Sequence, residues 1–138
     1  MTDATFTIGP LHQVGIATRD LEQSILFYRD QLGLEFIAVI DPPGLAFSQL
    51  GESRLLLERA DPPISNSGTL YFQVPDIMVA YKMLCERGVH FDQSPHLIHR
   101  DDAGTFGQAG DEEWMAFFKD PEGNSLAIAS RTRASSVA

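Results

Sequence analysis

The sequence is poor in cysteine and in basic residues. Its 138 residues include a single cysteine, Cys85, which excludes an intrachain disulfide and the cysteine-rich classes of zinc site. Ten lysines and arginines stand against nineteen aspartates and glutamates, which gives a net charge of -9. Nucleic acids and anionic membranes are bound through basic surfaces, so this balance argues against both as partners.

Long apolar runs and common catalytic motifs are also missing. No stretch approaches the roughly 20 residues of a membrane-spanning helix, and no early apolar run resembles a signal peptide. There is no serine in a glycine elbow and no phosphate-binding glycine loop. The composition, 43% hydrophobic and 21% charged, is that of an ordinary globular protein. We therefore expect one domain in a cytoplasmic protein.

The chain does contain a pattern that occurs twice. Residues 13–18 (QVGIAT) and 69–74 (TLYFQV) are predicted strands, and apolar residues at helical spacing follow each one. Asp20 is predicted to cap the first helix, and glycines in LGLEF (32–36) and RGVHF (87–91) are predicted to end the two helices. The further predicted strands are 35–40, 45–50 and 54–59, then 96–100, 114–120 and 125–130. Both halves therefore read β-α-β-β-β.

These elements predict an α+β fold made of two tandem βαβββ modules. Module 1 covers about residues 11–60, a linker follows at 61–67, and module 2 covers about 68–130. Residues 1–9 and 131–138 are predicted to be tails. One module alone leaves a sheet face uncovered. We therefore expect two modules to form a half-open, mostly antiparallel, barrel-like sheet with a central cleft.

Three segments of the chain are similar to a known family: HQVGIATRDLEQSILFYRDQLGLEF, GTLYFQVPDIMVAYKMLCERGV and WMAFFKDPEGNSLAI. Over about residues 10–130 the chain resembles the vicinal oxygen chelate (VOC) superfamily, which includes glyoxalase I, methylmalonyl-CoA epimerase, extradiol dioxygenases and bleomycin-resistance proteins. The resemblance implies the fold but not the reaction, because the superfamily hosts several chemistries. It also implies a homodimer, since family members commonly pair through sheet edges that would otherwise stay open.

Strand alternation predicts which side chains face the cleft. In the first strand Val14 and Ile16 are expected against the helix, so Gln13 faces the cleft. His12 has the parity of Val14 and is expected on the helix side or at the strand edge. Strand aromatics such as Trp114 are more commonly core residues, but Trp114 is also a candidate to stack on a planar ligand. The predicted substrate-binding residues are Gln13, Thr69, Tyr71, Gln73 and Trp114.

The resemblance implies four metal ligands, with one pair supplied by each module. By position these are Gln13 and Thr69 in the first strands and Ala127 in the last strand. In module 1 the last ligand position is Leu56 or Glu58, and the sequence leaves that register open. Alanine cannot coordinate a metal, and a transition metal normally takes three or four protein ligands. We therefore predict no cofactor; the alternative is a divalent metal in a rearranged site, with the candidate ligands Gln13, Glu58 and His96.

Two residues are candidates for proton transfer. Glu58 ends the apolar run LLLE (55–58), where burial would raise its pKa. The alternative is a solvated carboxylate, or one paired with Arg54 or Arg59. His96 is predicted to begin a strand of module 2, where it acts either as a general base or as an ordinary hydrogen-bonded strand histidine.

The missing metal ligands favour a small-molecule-binding protein of the glyoxalase and bleomycin-resistance type, with an oxygenated or aromatic metabolite in the cleft. The alternative is a lyase or isomerase in which Glu58 and His96 transfer protons and Gln13 holds a substrate oxygen. The acidic, glycine-rich residues 101–113 are expected to form either a mobile lid over the cleft or a plain flexible loop.

Overall fold

The computed structural model describes residues 11–61 and 68–133, and the chain divides into two units. Unit 1 ends at Asn66 and unit 2 begins at Ser67, within the predicted linker. The predicted tail at 1–9, nearly all of the linker and residues 134–138 lie outside the described residues. Within the part of the chain that the structure describes, no helix is long and apolar enough to span a membrane.

Both units run β-α-β-β-β, which confirms the predicted α+β fold. Unit 1 contains β1 (Gln13–Thr18), α1 (Leu21–Leu26) with a following π-helical turn (Phe27–Gln31), β2 (Phe36–Ile40), β3 (Leu45–Leu50) and β4 (Ser53–Arg59). Unit 2 contains β5 (Thr69–Gln73), α2 (Ile77–Glu86), β6 (His96–Asp101), β7 (Asp111–Lys119) and β8 (Ser125–Arg133).

Each helix begins and ends at the residues that the sequence indicated. The Asp20 carboxylate accepts a hydrogen bond from the backbone N–H of Gln23 (3.1 Å), and Asp76 caps α2 in the same way. These side chains satisfy N–H groups that have no partner inside the helix. After the helices the chain turns at Gly33 (φ 80°) and Gly88 (φ 92°), a conformation that costs glycine little.

The two sheets have the same topology. Their strand orders are β1-β4-β3-β2 and β5-β8-β7-β6. The first strand of each unit pairs in parallel with the last strand, and the remaining pairs are antiparallel. Since Gly15 pairs with Leu56 and Tyr71 pairs with Ala127, positions in the two units can be matched one to one.

One face of each sheet packs on the helix of the same unit, and its residues are apolar and buried. The buried residues of these faces and helices include Ile16, Leu21, Tyr28, Leu55 and Leu57 in unit 1, and Ile77, Leu84, Ala116, Phe118, Leu126 and Ile128 in unit 2. The opposite face of each sheet carries no helix of its own unit, and we call it the open face.

Strands β7 and β8 are longer than the sequence predicted. Strand β7 begins at Asp111 instead of 114, and β8 continues to Arg133 instead of ending at 130. The extension is held by charged side chains, because Arg131 lies 3.2 Å from Asp111 and 3.5 Å from Glu113. The prediction followed apolar alternation, which does not extend into this charged end of the sheet.

Candidate functional site

The open faces carry three matched rows of cross-strand neighbours. In unit 1 the rows are Gln13, Arg54 and Gln49; Gly15, Leu56 and Phe47; and Ala17, Glu58 and Leu45. In unit 2 they are Thr69, Ser125 and Lys119; Tyr71, Ala127 and Phe117; and Gln73, Ala129 and Met115, with His96 beside Met115. The register therefore places Gln13, Thr69, Tyr71 and Gln73 on the faces that alternation predicted.

Aromatic rings dominate the middle of the open face of unit 2. The rings of Tyr71 and Phe117 meet edge to face, with centroids 6.2 Å apart, across the small and buried Ala127. The imidazole of His96 lies 6.5 Å from the Phe117 centroid. We call Tyr71, Phe117 and His96 the aromatic cluster. Because Tyr71 is 56% exposed, the cluster presents apolar surface to solvent.

A cavity lies beside the aromatic cluster. Its volume is about 260 Å³, and its lining residues are Asp92, Gln93, His96 and Phe117. The backbone N–H of Asp92 donates to the Phe117 carbonyl (2.8 Å), which fixes the segment after α2 against β7. The cavity therefore combines one aromatic ring with a carboxylate, an amide and an imidazole.

One ring nitrogen of His96 meets a backbone carbonyl group. Its Nδ1 lies 3.3 Å from the carbonyl oxygen of Ser94, and the side chain is half-buried. In the tautomer that carries its proton on Nδ1, this N–H donates to Ser94 and Nε2 is left as an acceptor. Phe117, Asp92 and Gln93 were not predicted as site residues. For Phe117 the indication is strand alternation, because it shares one face of β7 with Met115 and Lys119, which pair with open-face residues of β8.

The other catalytic candidate, Glu58, is exposed at the end of β4 in unit 1. The structure agrees with the solvated alternative and not with a buried carboxylate. Neither arginine considered as its partner pairs with it: Arg59 binds Asp41 (3.0 Å), and Arg54 donates to His12. Glu58 and His96 belong to different units, so the predicted pair has no common site within either one.

The register of β4 settles which residue occupies the last ligand position of module 1. Leu56 matches Ala127, whereas Glu58 matches Ala129. The four positions are therefore Gln13 and Leu56 in unit 1, and Thr69 and Ala127 in unit 2. Two of them are apolar, so these residues do not fit a four-ligand metal site. Within residues 11–61 and 68–133, no group of three or more His, Cys, Asp or Glu could hold a metal ion.

Trp114 and Tyr71 lie on opposite faces of the sheet of unit 2, which agrees with the core interpretation of Trp114 and not with the ligand-stacking one. Trp114 pairs with Ser130 and Leu97, which have the parity of the helix-covered face. Its indole N–H donates to Oε1 of Glu112 (3.2 Å). The sequence gives no basis for assigning the faces of β7, because the phase of its alternation relative to β8 depends on pairing across strands.

Arg54 is a site candidate that the sequence reasoning missed. Its guanidinium lies over the Phe47 ring, 5.9 Å from the centroid, on the open face of unit 1. Its Nη2 donates to Nε2 of His12 (2.9 Å). His12 is exposed just before β1, at the strand edge. One feature of the sequence could have indicated it. Arg54 lies two residues before Leu56 in the same strand, so strand alternation places its cation on the cleft side.

The segment predicted to be a lid or a flexible loop is shorter and is anchored at its base. Between β6 and β7 it covers 102–110, and the buried Asp101 carboxylate accepts the N–H groups of Thr105 (2.7 Å) and Phe106 (2.9 Å). Arg131 lies 2.5 Å from the same carboxylate. Burial alone would raise the pKa of Asp101, but the hydrogen bonds from Arg131, Phe106 and Thr105 lower it below its usual value. This network joins the loop to the sheet.

Comparison with solved structures gives the same fold. A glyoxalase/bleomycin resistance protein/dioxygenase from Nocardioides is 19% identical with a TM-score of 0.72, covering 95% of this chain and 89% of that one. A superfamily member from Sphaerobacter thermophilus is 24% identical with a TM-score of 0.68, covering 89% and 98%. A lactoylglutathione lyase from Agrobacterium tumefaciens is 23% identical with a TM-score of 0.65, covering 89% and 94%.

At these identities the structural matches establish the fold alone. No curated protein sequence shows a significant match to the chain. The model of the Glyoxalase/Bleomycin resistance protein/Dioxygenase superfamily, in contrast, matches residues 10–128. This match covers both β-α-β-β-β units and confirms the resemblance that the repeat indicated. The chain therefore belongs to the glyoxalase/bleomycin resistance protein/dioxygenase superfamily, the vicinal oxygen chelate family.

Proposed function

We propose that this protein binds a small, planar, oxygen-bearing molecule on the open face of unit 2, without a metal ion. The observation that carries the proposal is the aromatic cluster beside a cavity of about 260 Å³. Aromatic rings supply stacking surface, and His96, Asp92 and the Tyr71 hydroxyl supply hydrogen-bonding groups at its margin.

The exposure of Tyr71 supports this proposal. A tyrosine that is 56% exposed and braced edge to face by Phe117 keeps a ring surface available without having to rearrange. Holding a ring in its binding position before the ligand arrives reduces the entropy lost on binding. Gln73 is exposed two residues along β5 and adds an amide for an oxygen of the ligand.

The metal-free part of the proposal is supported by Leu56 and Ala127. These residues occupy two of the four positions at which the family resemblance implied ligands, and neither has a donor atom. We expect purified protein to contain no stoichiometric metal. Plasma-emission analysis is the direct measurement, and one equivalent of Ni, Zn, Fe or Mn per chain would contradict this part.

The binding test uses 2-naphthol, a neutral planar probe with one hydroxyl group. We expect saturable shifts of the backbone amides of Tyr71, Gln73, His96 and Phe117 in ¹H–¹⁵N spectra. Tyr71→Ala is expected to weaken binding about tenfold, because it removes a stacking partner worth about 1 kcal/mol or more. Trp114→Phe is the matched control, since Trp114 lies on the other sheet face. Equal losses in both variants would contradict the proposal.

A proton-transferring lyase or isomerase is the second candidate function. Its supporting observation is that Asp92 lines the same cavity as His96, so that a carboxylate and an imidazole stand at one site. In this function Nε2 of His96 removes a proton from a carbon next to a carbonyl group. The similarity to a lactoylglutathione lyase structure is consistent with this class of reaction.

The two functions differ in turnover. Incubation with small 2-oxo compounds in D₂O would show deuterium incorporation next to the carbonyl if the enzyme function holds. His96→Gln would then abolish incorporation while 2-naphthol binding persists. Absence of incorporation in the wild-type protein, with 2-naphthol bound normally, would leave the binding function alone.

A homodimer in the cytoplasm is also part of the proposal. Edge strand β2 supports the dimer, because Ile37, Val39 and Ile40 are about half exposed and its outer backbone edge has no partner among the described strands of unit 1. Light scattering is expected to give twice the 15.2 kDa mass of the chain. A monomer mass would contradict the dimer without affecting the binding site.

A further inference from the structure

Arg54 carries a positive charge that no described carboxylate offsets. Its guanidinium has five N–H groups, and one of them meets a described acceptor, Nε2 of His12 at 2.9 Å. Its Nε is buried and has no hydrogen-bond partner among the described residues. Buried donors are nearly always satisfied in folded proteins, so this arginine is unusual.

Four other arginines of the described chain are each ion-paired. The pairs are Arg29 with Asp30, Arg59 with Asp41, Arg100 with Glu112, and Arg131 with Asp101, Asp111 and Glu113. Arg29 is the closest match to Arg54, because its guanidinium also lies over an aromatic ring, 5.8 Å from the Phe36 centroid. The difference between the two is the carboxylate partner.

We propose that Arg54 and its cross-strand neighbour Gln13 form a binding site for a carboxylate. The planar guanidinium fork accepts a carboxylate through two parallel hydrogen bonds, and the charged pair strengthens both. Gln13 adds an amide that donates to the same oxygens, since the register places it directly beside Arg54 on the open face. The site uses residues of unit 1 alone and is independent of the proposed function of unit 2.

The surroundings of Arg54 hold its guanidinium in position. The Phe47 ring lies beneath it, and its backbone N–H donates to the carbonyl oxygen of His12 (3.1 Å). Gln49, its other neighbour, donates its amide to the carbonyl oxygens of Gly51 (2.6 Å) and Ser53 (3.3 Å) and so braces the turn between β3 and β4. A guanidinium fixed in this way loses little freedom when an anion binds.

The net charge of -9 does not oppose such a site at physiological salt. Charges more than about 8 Å away are largely screened at that ionic strength. The charges nearest to Arg54 therefore matter most, and among the described residues no carboxylate forms an ion pair with it.

The experiment titrates the ¹⁵N-labelled full chain at neutral pH with sodium acetate, and in parallel with sodium chloride at equal ionic strength. Burial protects the Arg54 Nε–H from exchange with water, which makes it observable. Arg54→Lys assigns that resonance by removing it. We expect the Arg54 resonance and the Gln13 amide to shift saturably with acetate and not with chloride. The backbone amide of Arg29 should follow ionic strength only, because Asp30 already pairs with its guanidinium.

Two variants complete the test. Arg54→Gln is expected to weaken acetate binding at least about tenfold, as measured at the Gln13 amide, whereas Arg29→Gln leaves it unchanged. Should Arg54→Gln fail to fold, Arg54→Lys keeps the charge but removes the fork, and we expect weaker binding there too. Identical responses to acetate and chloride, equal responses of Arg54 and Arg29, or undiminished affinity in Arg54→Lys would each overturn the proposal.

Discussion

The middle rows of the two open faces differ in where their large and small side chains stand, although the backbone positions are matched. Unit 1 places Gly15, Leu56 and Phe47 in this row, and unit 2 places Tyr71, Ala127 and Phe117. Where the central residue is alanine, the flanking aromatic rings reach one another across it. Where it is leucine, the first-strand neighbour is a glycine and has no side chain to contribute.

This difference shows that two units with the same fold need not carry the same side chains on their open faces. The helix-covered faces agree in kind, since Leu55 and Leu126 stand at matched positions and both are fully buried. The open faces diverge: unit 1 has an arginine with which no described carboxylate forms an ion pair, and unit 2 has an aromatic cluster. Packing on the helix therefore constrains one face, whereas the other face is free of that constraint and carries the two separate sites that we propose.

The largest expected effect concerns the matched core residues. Leu55→Ala and Leu126→Ala should each lower the free energy of unfolding by about 2–5 kcal/mol, because each leaves a cavity beneath a helix. Urea denaturation followed by circular dichroism measures both. If one variant costs several-fold more than the other, the two helix-covered faces are not equivalent as packing units.

The next largest effect concerns one ion pair in each unit, Arg59 with Asp41 in unit 1 and Arg131 with Asp101 in unit 2. Asp101 is buried (its side chain is 2% exposed), whereas Asp41 is 46% exposed in its pair with Arg59. The pKa of each carboxyl is lowered in the folded state: at Asp101 hydrogen bonds outweigh burial, and at Asp41 the hydrogen bond from Arg59 dominates. A lowered pKa contributes stability above the unfolded value of about 3.9, which is lost as the pH falls through the folded value.

We therefore expect Asp101→Asn to destabilise the protein clearly at neutral pH and Asp41→Asn to do so only slightly, since exposed pairs are screened. The difference between wild type and Asp101→Asn should shrink below about pH 4. Thermal unfolding across a pH series measures this. A difference that grows toward acid pH would contradict the assigned charge state of Asp101.

A smaller effect on stability, with a large effect on binding, is expected from changing the central residue of the middle row. Ala127→Leu gives unit 2 the leucine of unit 1, fills the space between Tyr71 and Phe117, and should cost about 1–3 kcal/mol of stability by overpacking. Binding of 2-naphthol should fall at least about tenfold. Leu56→Ala is the matched control and should leave 2-naphthol binding unchanged in calorimetric titration.

The smallest expected effect is at Glu58. Glu58→Gln alters an exposed carboxylate on the open face of unit 1, so stability should change by no more than about 0.5 kcal/mol. Affinity for 2-naphthol should also stay constant in the same calorimetric titration. A clear loss of affinity would show that unit 1 supplies part of the aromatic site, which would end the functional separation of the two open faces.

The sequence predicted the repeat well because each unit obeys simple local rules. The cap at Asp20, the glycines after the helices and the alternation in β1 and β5 all depend on neighbours close in the chain. The phase of β7 and the choice between Leu56 and Glu58 depend on pairing across strands. Alternation has a period of two residues, so it cannot separate two positions of equal parity.

The site was predicted less completely than the fold for the same reason. Gln13, Thr69, Tyr71 and Gln73 were assigned to the correct faces, but Phe117 and Arg54 gain their significance from partners far away in sequence. Arg54 resembles any other strand arginine until its surroundings show that no described carboxylate pairs with it. For Trp114 two interpretations stayed open, a core residue or a ligand contact, and the strand register agrees with the first.

The most direct test of the central claim compares the matched phenylalanines of the two units. Affinity for 2-naphthol is measured by calorimetry with and without a metal chelator, in wild type, Phe117→Ala and Phe47→Ala. The claim predicts an affinity that the chelator does not change, a loss of at least about threefold in Phe117→Ala, and wild-type affinity in Phe47→Ala. Loss of binding on chelation, or equal losses in the two variants, would contradict it.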